Sequence, residues 1–123
     1  MDRIRKAKEI KREQQFSLLV PLSNLTESKD LAAKLQGHTL FVQGSIDLLL
    51  FFEDGTIELY DYKTDRIDDE ERENPELLQN HLFQRHQNQL RYYAQAVEQL
   101  FGKRPDHSFI FSLSLGTSIE LPI

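Results

Sequence analysis

The first residues that could do chemistry lie in the segment ELYDYKT, residues 58–64, where Asp61 stands two positions before Lys63. In a strand, alternate side chains point to opposite faces, so Asp61 and Lys63 share one face and Tyr62 points to the other. A carboxylate beside an ammonium group is either a surface ion pair of little energetic value or half of a catalytic site. Taken alone, Asp61 and Lys63 are better interpreted as a surface ion pair. Evidence for a catalytic site must come from other residues of the chain.

A second carboxylate, Asp47, can join this pair if the turn that follows it has the right length. A two-residue turn that ends at Gly55 places Asp47 opposite Tyr62, on the face away from Asp61. A three-residue loop from Glu53 to a left-handed Gly55 places Asp47 opposite Asp61 instead, because a slip of one residue moves every side chain to the other face. We predict the three-residue loop, or a bulge with the same effect.

Two converging carboxylates repel each other unless positive charge lies between them. Lys63 supplies one positive charge, and a divalent cation would supply two more. Carboxylate oxygens without thiolate or imidazole partners suit a hard ion such as Mg²⁺ or Mn²⁺. Such an ion can polarise a phosphoryl oxygen and lower the pKa of a bound water, and a neighbouring lysine can offset charge in the transition state. The expected chemistry is phosphodiester hydrolysis.

Gln89 and Tyr93 can add to this site from a helix. They stand four residues apart and therefore lie on one side of the helix, one turn from each other. If that side faces the hairpin, Gln89 can bond a phosphate or a metal-bound water, and the Tyr93 hydroxyl can reach a nucleic-acid backbone. Tyr93 also borders the apolar stripe of the helix, so a purely structural role in the core is an equal alternative.

The elements that must position these residues are a set of strands around one long helix. Residues 24–38 are polar and read as a loop with a short helical turn, and residues 65–75 read as a loop. The predicted strands cover residues 16–23, 39–52, 56–64 and 107–115, with a short segment after Gly116. The predicted helix runs over residues 76–101, with a buried stripe of Leu90, Ala94, Val97, Leu100 and Phe101. This order favours an α/β fold with one mixed sheet.

The N-terminal residues differ from the rest in composition. Residues 2–15 carry six basic and three acidic residues and almost no apolar face. We predict that residues 1–15 are a polar helix remnant or a frayed tail, since such a helix has little to bury. Residues 16–123 are predicted to form a single domain.

Composition limits the classes of function. The chain has 123 residues, no cysteine and a net charge of −5. The absence of cysteine excludes disulfides, thiolate zinc sites and an iron–sulfur cluster. The net charge gives the whole domain no electrostatic attraction to nucleic acid, so a polyanion site must depend on a local patch, a metal or another domain. No apolar run is long enough for a membrane helix, and we expect a cytoplasmic protein without a membrane partner.

Three segments in this order, GSIDLLL, DYKTDRI and QNQLRYYAQAVEQLFG, resemble the nuclease domain of the PD-(D/E)XK superfamily. The chain is most similar to the RecB-like domain at the C-terminus of bacterial AddA and RecB helicase–nucleases, from about Glu13 to about Gly102. The resemblance implies a restriction-endonuclease-like mixed sheet with flanking helices. It also implies Mg²⁺, with Mn²⁺ as a substitute, as the cofactor. By resemblance the site consists of Asp47 and Asp61 as metal ligands with the main-chain carbonyl of Tyr62, Lys63 on the attacking water, and Gln89 and Tyr93 as the Q-x-x-x-Y motif that supports catalysis or binds DNA.

The same resemblance implies a function and partners. We expect a DNA exonuclease domain of an ATP-dependent helicase–nuclease in double-strand break repair and recombination, with single strands of unwound DNA as substrate. The expected partners are the helicase portion of the same parent chain and a second helicase–nuclease subunit. The alternative is a catalytically inactive nuclease-fold domain that serves complex assembly or DNA guidance.

One feature of the family is absent from this sequence. Members carry a histidine on a helix upstream of the first strand that completes the metal shell, and this chain has no histidine before His38. We therefore expect an N-terminally truncated C-terminal piece that lacks one ligand and cleaves DNA poorly by itself.

Overall fold

The chain folds around a mixed β-sheet, as seen in a computed structural model that describes residues 2–25 and 27–123. Residues 1 and 26, which fall within the predicted N-terminal segment and the predicted loop over 24–38, lie outside the described residues. In chain order the elements are α1 (Asp2–Lys6), β1 (Glu9–Pro21), a short 3₁₀ turn (Leu22–Leu25), α2 (Lys29–Leu35), β2 (Thr39–Phe51), β3 (Ile57–Lys63), α3 (Asp69–Glu73), α4 (Pro75–Phe101), β4 (His107–Ser112) and β5 (Thr117–Leu121).

The strands lie in the order β1-β2-β3-β4-β5. β2 and β3 are antiparallel, β3 and β4 are parallel, and β4 and β5 are antiparallel. The parallel pair requires a crossover connection, which the helix α4 provides. The predicted α/β fold with one mixed sheet and flanking helices is confirmed.

Backbone contacts divide the chain into two compact units. The smaller unit covers residues 15–45, and the described part of the larger unit covers residues 2–14 and 46–123. The predicted division into residues 1–15 and a single domain over 16–123 stays a prediction, and β1 runs across that boundary.

In the smaller unit, the Phe16 ring packs closely against Gly44. A β-carbon added to Gly44 would lie only 2.8 Å from the tip of the Phe16 ring, so this position favours a glycine. Phe16, Leu18 and Val20 are buried at alternate positions of β1, as expected for a strand with one covered face.

In the larger unit, the β2–β3 hairpin has the predicted register. Leu49 pairs with Leu59 and Phe51 pairs with Ile57. The main-chain N–H of Phe52 then donates to Thr56 O at 3.0 Å, which leaves a three-residue loop that ends at Gly55. Gly55 has a φ of +89°, a left-handed conformation that only glycine adopts at little cost. The three-residue loop is confirmed.

The helix α4 begins and ends close to the predicted residues. The Asn74 side chain accepts from Leu77 N at 3.2 Å, and the Gly102 N–H donates to Glu98 O at 2.8 Å. The buried residues of α4 are Leu78, Leu82, Leu90, Tyr93, Ala94, Ala96 and Val97. The prediction was wrong for Leu100, which is 48% exposed, and Phe101 is only partly buried. Val97 is the last buried residue of α4, and Leu100 follows it in the final turn of the helix, which ends at Phe101.

The N-terminal segment was wrongly predicted as a polar helix or tail. Only Asp2–Lys6 is helical, and β1 begins at Glu9. β1 is the terminal strand in the sheet order, and an edge strand joins a sheet through its backbone without needing an apolar face. The segment also makes apolar contacts, because Ile4 and Ala7 pack against the buried cluster of Leu48, Leu50 and Tyr60.

Two further elements differ from the prediction. The short helix α3 lies within the stretch 65–75 that was predicted as a loop. Asp68 and Glu71 form a capping box at its start, a D-x-x-E pattern that the sequence already contains. The strand β4 ends at Ser112, and the chain then turns through Gly116, which has a φ of +70°.

Candidate active site

The site is built where β3 ends. Asp61 and Lys63 lie on one face of the strand, and Lys63 Nζ is 3.0 Å from Asp61 Oδ2. Tyr62 points to the opposite face and is 38% exposed. The predicted alternation therefore holds, and Asp61 is the buried member of the pair, with 3% of its surface exposed.

Asp47 joins this pair from the neighbouring strand. It comes one residue before Leu48, which pairs with Tyr60, so it lies across from Asp61. The main-chain N–H of Tyr62 donates to Asp47 Oδ2 at 2.8 Å. This bond holds the Asp47 carboxyl at the end of β3, beside the carboxyl of Asp61.

The environment of Asp61 opposes its ionisation. Burial raises the pKa of Asp61, and the contact with the Asp47 carboxyl raises it further, while Lys63 lowers it; the pKa rises to about 6. Two carboxyls in contact, one of them buried, favour a shared proton over two negative charges. Perturbed acids of this kind concentrate at functional sites.

One oxygen of Asp61 suits a metal ion. Asp61 Oδ2 is buried and makes no hydrogen bond of normal geometry within the described part of the chain, so its 3.0 Å contact with Lys63 is an ion pair. A hard divalent cation prefers carboxylate oxygens and would relieve the repulsion between Asp47 and Asp61. The donor set therefore fits Mg²⁺ or Mn²⁺. Across residues 2–25 and 27–123, however, no group of three or more His, Cys, Asp or Glu residues could hold a metal ion, so this chain offers two carboxylates.

Gln89 and Tyr93 reach the site from α4. Lys63 Nζ donates to Gln89 Oε1 at 2.8 Å, and Gln89 Nε2 donates to the Tyr93 hydroxyl at 2.9 Å. Burial, followed by the charges of Asp61 and Asp47, raises the pKa of Tyr93 to about 12, so its hydroxyl stays protonated near neutral pH. Lys63 thus lies between the Asp61 carboxyl and the Gln89 amide.

The structure brings together all five side chains singled out in the sequence: Asp47, Asp61, Lys63, Gln89 and Tyr93. Their roles in catalysis and metal binding stay predictions, as does the role of the Tyr62 carbonyl.

Sequence reasoning missed a second set of contacts beside the site. The Asp65 carboxyl bonds His86 Nε2 at 2.9 Å and Arg85 Nη1 at 3.3 Å. No role was assigned to His86 from the sequence. A histidine three residues before Gln89 on the same helix was the available signal, since such residues share a helix side.

Comparison with known proteins defines the class to which this fold and site belong. The family model described as the PD-(D/E)XK nuclease superfamily matches residues 2–118. The chain belongs to the PD-(D/E)XK nuclease superfamily.

The relatives indicate which kind of nuclease domain within this superfamily the chain is similar to. The chain is 34% identical over 122 residues to an ATP-dependent helicase/nuclease subunit of Heliobacterium modesticaldum, and the match covers 97% of the chain and 8% of that protein. The protein of the same name from Listeria welshimeri is 33% identical over 108 residues, 88% of the chain and 8% of the relative. The chain thus spans about 8% of the length of these relatives. It is a nuclease domain related to these helicase/nuclease subunits.

The described helices do not meet the requirements of a membrane span. None of them is both long and apolar enough to cross a bilayer.

Proposed function

We propose that this chain is a Mg²⁺-dependent deoxyribonuclease domain that hydrolyses phosphodiester bonds of DNA. The observation that carries the proposal is the buried Asp61 carboxyl, which lies beside Asp47 and 3.0 Å from the Lys63 amine. A buried acid, a second acid beside it and a single lysine at one strand end form a costly arrangement, which is explained if the acids hold a metal. Family membership and the names of the relatives support the same reaction.

Each side chain has a role in the proposal. Asp47 and Asp61 would hold the metal, with the main-chain carbonyl of Tyr62 as a further ligand. When bound, the metal supplies Lewis-acid polarisation of the phosphoryl group and a more acidic water. Lys63 orients the attacking water and places positive charge next to the reacting phosphate. Gln89 holds the Lys63 amine through its amide oxygen and donates from its amide nitrogen to the Tyr93 hydroxyl, whose proposed role is to contact the DNA backbone.

The substrate in this proposal is single-stranded DNA that a helicase portion of the same parent protein delivers. A net charge of −5 gives the domain little attraction of its own for DNA, and delivery by a motor removes the need for it. The relatives are named as helicase/nuclease subunits, which supports two partners, a helicase portion and a second subunit. The proposed setting is double-strand break repair and recombination in the bacterial cytoplasm.

Calorimetric titration of the isolated chain with Mn²⁺ tests the metal site directly. We expect one weak binding event for the wild-type chain, lost in both Asp47→Asn and Asp61→Asn, because each substitution removes one anionic ligand. Asp30→Asn is the matched control, since Asp30 is an exposed aspartate on α2 in the other compact unit. The metal-site proposal is refuted if the wild-type chain takes up no Mn²⁺, or if Asp61→Asn binds it as well as Asp30→Asn does.

A further inference from the structure

We propose that Asp65 and His86 are a positioning pair for this nuclease site: their bridge fixes α4 against the end of β3 and so holds the Lys63 amine in place through Gln89. The inference rests on the proposed function for the role of Lys63. It adds two residues to which neither the motif nor the relatives assign a role.

The geometry consists of two parallel bridges between the same two elements. Lys63 bonds Gln89 at 2.8 Å, and Asp65 bonds His86 Nε2 at 2.9 Å. Lys63 and Asp65 stand two residues apart as the chain leaves β3, and His86 and Gln89 stand three residues apart on α4. Lys63 and Asp65 therefore lie close together at the end of β3, and His86 and Gln89 lie on one side of α4. The bridge between Asp65 and His86 thus sets the distance between these two elements at which Lys63 can bond Gln89.

Asp65 is held on two further sides. Arg85 Nη1 reaches its carboxyl at 3.3 Å, and the Ser114 hydroxyl donates to its main-chain oxygen at 2.9 Å. The side chains of Asp65 and His86 are only 18% and 16% exposed, so water competes weakly for their bond. Burial by itself would raise the pKa of Asp65, but His86 and Arg85 hold it below its usual range, which keeps the carboxylate charged.

A long lysine side chain needs such support. Lys63 carries its amine on a flexible four-carbon stem, which loses considerable rotamer freedom when it is held in one place. A single hydrogen bond to Gln89 contributes little net free energy, so it holds the amine only if Gln89 already lies at the right distance. The bridge between His86 and Asp65, one turn away on α4, provides that distance.

The chain contains its own control for this idea. His81, on the same helix, bonds Glu71 of α3 with the same distance of 2.9 Å. Replacing His81 removes an equivalent histidine–carboxylate bridge from α4 but leaves the contact between Lys63 and Gln89 untouched. The comparison separates loss of positioning from a general loss of stability.

The experiment measures how fast the Lys63 amine of the isolated chain reacts with an acylating reagent, by peptide mass spectrometry. Lys34 of α2, in the other compact unit, serves as the internal reference. We expect the rate at Lys63 to rise about threefold to tenfold in His86→Ala, as expected for the loss of one hydrogen bond from the amine. His86→Gln, which keeps a donor at a similar reach, restores the slow rate, and His81→Ala leaves it unchanged. Asp65→Asn, which preserves the shape of the side chain, gives an increase in the same direction.

Equal Lys63 rates in His86→Ala and the wild-type chain would overturn the inference, and so would an equal increase in His81→Ala. The labelling needs neither metal nor DNA. Absence of Mn²⁺ binding by the wild-type chain therefore counts against the proposed function alone, while the labelling rates decide on the positioning pair.

Discussion

Asp61 combines burial, a neighbouring acid and a neighbouring lysine in a single residue. Its pKa is raised from 3.8 to about 6 in the folded chain, first by burial and then by the Asp47 carboxyl. The folded state therefore binds a proton more tightly than the unfolded state does. The contribution of Asp61 to the free energy of unfolding is largest below pH 4 and falls as the pH rises from about 4 to about 6. The metal-free chain carries a cost at neutral pH that a bound cation would offset.

Asp61→Asn should stabilise the metal-free chain at neutral pH, because it removes an acid that is costly to ionise. The rise in the pKa of Asp61 corresponds to a gain of about 1–3 kcal/mol in the free energy of unfolding of the variant at pH 8. This gain should shrink toward zero near pH 4. Urea unfolding of wild-type chain and variant at both pH values measures this difference. Asp30→Asn should show no such pH-dependent gain. A variant that is less stable than the wild-type chain at pH 8 would contradict the strain assigned to Asp61.

The sequence predicted the contacting site residues because their relations are local or follow from strand pairing. Strand alternation relates Asp61 to Lys63, and helix periodicity relates Gln89 to Tyr93. The bridge from Asp65 to His86 could not be found in this way. Its residues lie 21 positions apart on a strand exit and a helix, and their contact depends on how α4 packs on the sheet.

At the scale of elements, the hairpin register was predictable and the N-terminal strand was not. The three-residue loop that ends in Gly55 sets a register in which Leu49 pairs with Leu59 on a buried face. The turn residues and the burial pattern therefore predict the same register. Residues 9–15 of β1 have mostly exposed side chains, and their strand conformation comes from pairing with the sheet. A tertiary interaction of this kind leaves no periodic pattern in the sequence.

The helix α1 is attached to the sheet through a buried carboxylate. The Arg3 guanidinium makes a forked ion pair with Glu58, whose side chain is 4% exposed and also accepts from the Tyr60 hydroxyl at 2.8 Å. Removing Arg3 would leave the Glu58 charge buried with one remaining partner.

Arg3→Ala should therefore lower the free energy of unfolding by about 1–3 kcal/mol. Arg5→Ala, on the same helix and exposed, should change it by less than about 0.5 kcal/mol. Thermal and urea unfolding of both variants provide the comparison. If the two variants lose the same stability, α1 is not attached through Glu58, whereas recovery in Arg3→Ala with Glu58→Gln would identify the buried charge as the cause.

At the scale of the whole molecule, the chain corresponds to about 8% of the length of its relatives. Within the described residues the site offers two carboxylates and no third acidic, histidine or cysteine ligand. We expect the 123-residue chain alone to bind Mn²⁺ or Mg²⁺ weakly and to cleave single-stranded DNA poorly, since the metal is under-coordinated and no motor delivers the substrate. A gel assay with labelled single-stranded DNA measures this. Rapid cleavage by the isolated chain would show that it needs neither further ligands nor a motor.

Substitutions at Lys63 and Asp61 in the proposed full-length helicase/nuclease parent should separate catalysis from metal binding. Lys63→Arg should be nearly as inactive as Lys63→Ala, because a planar guanidinium cannot replace a compact ammonium group beside the metal. Asp61→Ala should stop cleavage by weakening metal binding, so higher Mn²⁺ should partly restore it. Cleavage rates across a metal titration distinguish the two classes of variant. Equal rescue of Lys63→Ala and Asp61→Ala by Mn²⁺ would contradict the separate roles.

The most direct test of the central claim is to measure DNA cleavage and ATP-driven unwinding by the Lys63→Ala variant of that full-length protein. The proposal predicts that cleavage is abolished while unwinding continues at the wild-type rate, because Lys63 acts on the attacking water and the transition state. Normal cleavage by Lys63→Ala would show that Asp61 and Lys63 form an ion pair without a role in catalysis.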